Sequence, residues 1–160
     1  MPIATTRGEA KKQMLLDYGA AHVIVTNQED LPTRVMEITS GHGADLIFDP
    51  IAGSFLETLA NVAARGATIF EYGALSPDAT TPFPLFPALQ KGLKVQGYAL
   101  FEITRDPAKL EKAKQYIYNG LDTGALTPSL DRVFPLAQIV EAHRYMQSNQ
   151  QNGKIIVTVP

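Results

Sequence analysis

The chain has 160 residues, of which 45% are hydrophobic and 19% charged, the balance of a globular domain and not of a disordered or fibrous segment. Its formal net charge of −2 gives no basic footprint for nucleic acid or anionic lipid. There is no cysteine, which excludes disulfides and Cys-based zinc sites and fits a cytoplasmic location. The opening Met1-Pro2-Ile3-Ala4 has no charged region followed by an apolar stretch, and no apolar run approaches membrane-spanning length, so neither a secretory signal nor a membrane partner is expected.

Short apolar runs alternate with helical patterns, separated by Gly and Pro, which predicts a parallel sheet with crossover helices. The first strand is expected at residues 2–6 and a helix at 9–18, ended by Gly19. A β-branched strand follows at 22–26. Asp30 can cap the next helix, whose Leu31, Val35 and Ile38 share a face, and Gly41 and Gly43 break it. Residues 44–49 are mostly apolar, as in a central parallel strand. Ser54 and Glu57 have capping-box spacing before the stripe Phe55, Leu59 and Val62, with Gly66 as the stop. A strand is expected at 67–72, then a proline-rich loop with one distorted helical turn at 77–87, then a strand at 93–98. Asp106-Pro107 opens a helix with Leu110, Ala113 and Ile117 as its buried face and Gly120 as its end. Beyond residue 121 the pattern gives a strand at 129–134, a helix at 136–148 and a strand at 154–159.

Two places have the composition of a ligand site. At the end of the first strand stand Thr5, Thr6 and Arg7 with no acid. In dinucleotide-binding folds an acid at this point holds the ribose hydroxyl of NAD, whereas an Arg accommodates the 2′-phosphate of NADP. Small residues follow the third and fourth strands of the chain, at 49–53 and 72–76, and open α/β sheets bind ligands at the carboxyl ends of their strands. The glycine-rich run 41–46 leads into a strand instead of following one, so it reads as a helix stop and turn. His22, His42 and His143 have no partner at a metal-ligand spacing, and no G-x-S-x-G motif is present.

The ordered pieces Lys11…Leu15…Gly19-Ala20…Val23-Ile24, Gly43-Ala44-Asp45…Asp49…Gly53, Gly66 to Gly73, and Glu141 to Met146 before Gly153-Lys154 resemble the cofactor domain of zinc-independent, quinone-oxidoreductase-like medium-chain dehydrogenases/reductases. The resemblance spans essentially the whole chain. It implies an α/β fold: a doubly wound Rossmann-type parallel sheet without its first strand and glycine-rich turn. Residues 1–124 would form part of an NADP-binding domain, and residues 125–160 a segment returning to a substrate domain outside these residues. In the family's strand order 3-2-1-4-5-6, a hole is left where strand 1 pairs, and the first strand of this chain is expected to move, pair across that hole or borrow a strand.

The resemblance also assigns positions. Thr6, Arg7 and Lys11 would surround the 2′-phosphate of NADPH. Asp49, Ile51, Ala52, Gly73, Ala74 and Leu75 would line the nicotinamide side, with Phe101 in the loop over it and Gly153 and Lys154 approaching the cofactor near the domain junction. The implied reaction is hydride transfer from NADPH to a quinone or enone, with no single acid–base residue. The implied partner is a second copy, joined through the edge strand at residues 93–98 (Leu93 to Tyr98). The isolated chain would be inactive and hold NADPH weakly, because the phosphate-binding helix N-terminus is not among its residues. Two other readings compete: a methyltransferase-like nucleotide-binding domain, which usually has an acid after its second strand, and a non-catalytic self-association module.

Overall fold

The computed structural model describes all 160 residues. Its contacts divide the chain into two units, Met1–Arg105 and Asp106–Pro160. No helix is long and apolar enough to cross a membrane.

In the first unit the elements are β1 (Ile3–Thr6), a 3-10 turn (Glu9–Lys11), α1 (Lys12–Asp17), β2 (His22–Val25), α2 (Leu31–Ile38), β3 (Ala44–Asp49), α3 (Phe55–Val62), β4 (Ala63–Glu71), α4 (Leu85–Lys91), β5 (Lys94–Gly97) and α5 (Phe101–Thr104). All strand pairs are parallel. One sheet is β1-β2, and the other is β3-β4-β5. β1 does not pair with β3, so the expected closure across the hole is not made; strand, turn and crossover lengths hold each strand to its sequence-adjacent neighbour. A single apolar core nevertheless runs through both sheets. Ile24 on β2 and Ile69 on β4 are fully buried, with Leu31 and Val35 of α2 and Leu56, Leu59 and Val62 of α3 around them.

The reading of β3 as a strand buried on both faces holds for one face only. Ile47 packs on the core, whereas Leu46 and Phe48 are 52% and 63% exposed. Side chains alternate along a strand, and the helices of this unit cover the Ile47 side. Phe48 stacks on Phe70 of β4 with ring centroids 5.5 Å apart.

Local chemistry explains most boundaries. Asp30 caps α2 by accepting from the Thr33 amide at 3.0 Å. The capping box at Ser54 does not form; Ser54 has helical dihedrals, and its amide donates instead to Asp78 at 2.7 Å. Gly66 does not stop α3. It lies inside β4 with φ +74, at the irregularity where Ala44 pairs Ala63 but Leu46 pairs Thr68. α4 begins within the stretch expected to be mostly loop. Pro87 is tolerated in its first turn, and Gly92 closes it at φ +64. The Lys91 ammonium then donates to the carbonyls of Ala60, Asn61 and Ala63, satisfying the end of α3.

The second unit holds α6 (Pro107–Asp122), β6 (Leu130–Pro135), α7 (Ile139–Gln147) and β7 (Lys154–Thr158), with β6 and β7 parallel. Asp106 caps α6 through the amides of Ala108 and Lys109. Leu110 and Ala113 are half-buried, but Ile117 is 48% exposed, so the expected stripe is only partly covered. Gly120 does not end α6. A Cβ there would lie 2.6 Å from the Leu126 side chain, so the glycine serves close packing, and the chain turns at Gly124, with φ +73.

Candidate functional site

The carboxyl ends of β3 and β4 carry two loops that are built as one piece. β3 ends in Asp49, only 1% exposed. Its carboxylate accepts from the amides of Ile51 at 2.7 Å and Ala52 at 3.1 Å, which folds the chain straight back. Ala52 and Gly53 then take left-handed dihedrals, φ +60 and +66. For Ala52 this conformation is strained and is held by the Asp49 bond. Beyond the turn, Gly53 donates to the Thr81 hydroxyl at 3.0 Å and Ser54 to Asp78. The Ser54 amide, and less strongly the Ser76 hydroxyl, hold the Asp78 carboxyl below the usual carboxylate range.

The loop after β4 lies on this turn. Tyr72 donates to the Asp49 carbonyl, Leu75 to that of Pro50 and Ser76 to that of Ile51, at 3.0, 3.1 and 2.8 Å. Gly73 is required by proximity: a Cβ there would sit 2.5 Å from the Pro50 oxygen. The outer surface of the paired loops is small and apolar. Gly73 and Ala74 are exposed, Ile51 is 37% and Leu75 74% exposed, and Ala52 is buried beneath.

Glu71 is the residue that sequence reasoning missed. It is the last residue of β4 and lies in register with Asp49 on β3 and with Gly97 on β5. Both of its carboxyl oxygens are sealed from solvent and have no donor. Burial foremost, and the Asp49 charge second, push the Glu71 carboxyl up to about 7. Two facing carboxylates cannot bond unless one carries a proton, so a neutral Glu71 donating to Asp49 accounts for an oxygen pair that otherwise has no partner. The signal was visible in the sequence as one acid closing an otherwise uncharged run, residues 67–70.

At the end of β1 the Thr6 hydroxyl donates to the Gly8 carbonyl at 3.2 Å, and the Thr6 carbonyl accepts from Thr26. Arg7 is exposed and Lys11 half-buried, and neither makes an ion pair; the neighbouring Lys12 is taken by Glu9 at 3.2 Å. Two free cations beside hydroxyls and an open glycine at position 8 suit a phosphate. Phe101 lies not in a loop but on the first residue of α5, 61% exposed, with the Arg105 guanidinium 5.0 Å from its ring centre. The amides of Ile103 and Thr104 both donate to the Leu100 carbonyl, which is why a short helix forms there. In the second unit, Gly153 has φ +136 and packs so tightly that a Cβ would meet the Ser129 oxygen at 2.6 Å, while the Lys154 amide donates to that same oxygen and its side chain is exposed.

A model of the zinc-binding dehydrogenase domain matches residues 18–157. The chain belongs to the zinc-binding dehydrogenase family. It is 28% identical to a phenolphthiocerol/phthiocerol polyketide synthase of Mycobacterium tuberculosis over 99% of this chain and 7% of the synthase. It is 26% identical to the 2-haloacrylate reductase of Burkholderia sp over 97% of this chain and 47% of the reductase. In structure it is similar to Escherichia coli quinone oxidoreductase complexed with NADPH, with TM-score 0.88 at 24% identity, covering 98% of this chain and 49% of that one. The chain thus spans about half the length of the single-enzyme relatives it matches. The fold of this dehydrogenase chain is the Rossmann-like α/β half of the medium-chain reductases. The family's name carries a metal, but no three His, Cys, Asp or Glu side chains converge in this chain, and it has no cysteine. The residues present do not fit a zinc centre, and no chemistry is derived through one.

Proposed function

We propose that these residues form part of the cofactor half of an NADPH-dependent reductase that passes hydride to a quinone or to an alkene conjugated with a carbonyl. The observation that carries this reading is the pair of hydrogen-bonded loops at the ends of β3 and β4. Their exposed face is backbone and small side chains, suited to a flat ring lying close. It is supported by the relatives, whose names include a 2-haloacrylate reductase and, among similar structures, a putative NADPH:quinone reductase from Bacillus thuringiensis at 25% identity.

NADPH, when bound, supplies the hydride. Asp49, Ile51 and Ala52 with Gly73, Ala74 and Leu75 form the floor that orients the nicotinamide. Thr6, Arg7 and Lys11 hold the 2′-phosphate. Phe101 lies over the ring, and Gly153 with Lys154 approaches it from residues 125–160, the segment that would return to a substrate domain, residues 1–124 being the cofactor part. Catalysis is then mainly positioning and exclusion of water, with no zinc. Binding by these 160 residues alone is weak in this reading, because the pyrophosphate needs a helix N-terminus at a glycine-rich turn, and no helix here follows one.

The Arg7→Ala substitution, made in a protein that carries these residues together with such a turn, tests the assignment. One charged hydrogen bond is worth about 1.5–3 kcal/mol, so NADPH should bind roughly tenfold or more weakly while NADH is nearly unaffected. Equal loss for both cofactors in fluorescence titrations would sink the assignment.

The second copy is proposed to join at β5. Lys94, Gln96 and Gly97 are exposed there, β5 pairs only with β4, and one charge and no proline guard its edge. Light scattering should give a dimer at about tens of micromolar. Adding a proline by Gln96→Pro should then give the monomer, and a wild-type monomer would rule this contact out.

A further inference from the structure

We propose that Glu71 is a positioning residue: its neutral carboxyl donates a hydrogen bond to Asp49 and so holds the left-handed turn at residues 49–53 in its ring-facing shape. Loss of that proton loosens the turn. The part of this inference that concerns the cofactor rests on the reading given under Proposed function.

The geometry carries it. Asp49 and Glu71 are register partners on adjacent parallel strands, so their side chains leave the same face of the sheet. Asp49 spends both oxygens on the amides of Ile51 and Ala52, which favours its ionised form. Glu71 has two sealed oxygens and no donor. A charged Glu71 would place two carboxylates side by side in a dry pocket, where like charges cannot both persist. A proton between them removes the repulsion and satisfies one oxygen of each. The raised value of about 7 for Glu71 agrees with this, burial being its larger cause.

No other group competes for the pair. Of the charged side chains on elements packed against β4, Asp45 on β3 is tied to His42 at 2.7 Å, and Lys91 on α4 is tied to the carbonyls at the end of α3 and the start of β4. Lys94 on β5 stands opposite Thr68, at the other end of the paired stretch from Glu71, and β5 offers only Gly97 beside that glutamate. Glu57 on α3 is exposed. The turn has reason to depend on this bond. Ala52 is held at φ +60 against its own preference, and the acceptor that holds it is Asp49. A second negative charge on that acceptor's flank would displace it.

Glutamate-labelled protein, followed by carbon-detected NMR between about pH 4 and pH 9, reads the proton directly. The Glu71 carboxyl should titrate near 7, and the amide signals of Ile51 and Ala52 should shift with the same midpoint. In Glu71→Gln, whose amide donates at every pH, those two amides should show no such step. A Glu71 midpoint in the ordinary carboxylate range overturns the shared proton, and a midpoint near 7 with unmoved Ile51 and Ala52 amides overturns the positioning role. Both results come from the wild-type chain, so a Glu71→Gln variant that failed to fold would not remove the test. NADPH added in excess below and above the midpoint should perturb residues 51, 52 and 73–75 more at the lower pH. Equal perturbation at both overturns the link to the cofactor. No perturbation at either, with the titration intact, points instead to failure of the NADPH reading and leaves the proton-held turn standing.

Discussion

Gly43→Ala should destabilise the chain by about 2–4 kcal/mol, the sum of a left-handed Ala and forced overpacking. Gly43 is buried at φ +89, and a Cβ there would meet the Val62 oxygen at 2.7 Å and the Ala64 nitrogen at 2.9 Å. Both neighbours are backbone at the α3–β4 junction, so neither can swing aside as a flexible side chain would. The substitution would push β3 off β4 just where the strands begin to pair, and would disturb the loops at their far ends. Gly41→Ala is the control. It has φ +83 but nothing within 4 Å, so only the conformational cost, roughly 1–2 kcal/mol, should appear. Urea unfolding of the two variants measures the difference, and equal losses would mean that the close approach at Gly43 is not real.

Stability should fall as pH rises from about 5 to about 8, and Glu71→Gln should abolish most of that fall. Glu71 has a folded value of about 7, above its ordinary 4.5, so its neutral form is the one the fold prefers. Its contribution is therefore complete below about 4.5 and is lost as pH climbs through about 7. At about 1.4 kcal/mol per unit the ceiling is near 3 kcal/mol, and because the stem of the side chain is partly exposed, screening leaves roughly 1–2. At about pH 5 the wild type and Glu71→Gln should be nearly equal, and at about pH 8 the variant should be the more stable. Chemical denaturation at the two pH values decides it: a wild type whose stability rises over this interval would contradict a neutral Glu71.

The elements were legible because the sequence punctuates them. Asp30 and Asp106 cap the helices they were expected to cap, and the parallel order of β3, β4 and β5 follows from apolar runs separated by crossover helices. The errors fell where tertiary contacts overrule a local signal. Ser54 has the spacing of a capping box, but Asp78, 24 residues further on, takes its amide. Gly66 and Gly120 look like stops, yet one serves a strand irregularity and the other makes room for Leu126.

The sequence by itself determined the family, the parallel α/β class, and which segments meet the carboxyl ends of the strands. Periodicity, glycine placement and spacing are local properties, and they carry that much. Only the tertiary structure decided that the loops at 49–53 and 72–76 are hydrogen-bonded into one floor, because register between parallel strands is set through a crossover and not by neighbouring residues. The same register brings Asp49 and Glu71, 22 positions apart in the chain, side by side in a pocket with no donor for either spare oxygen. Burial and proximity are what turn an ordinary glutamate into one that keeps its proton, and neither can be read along a chain.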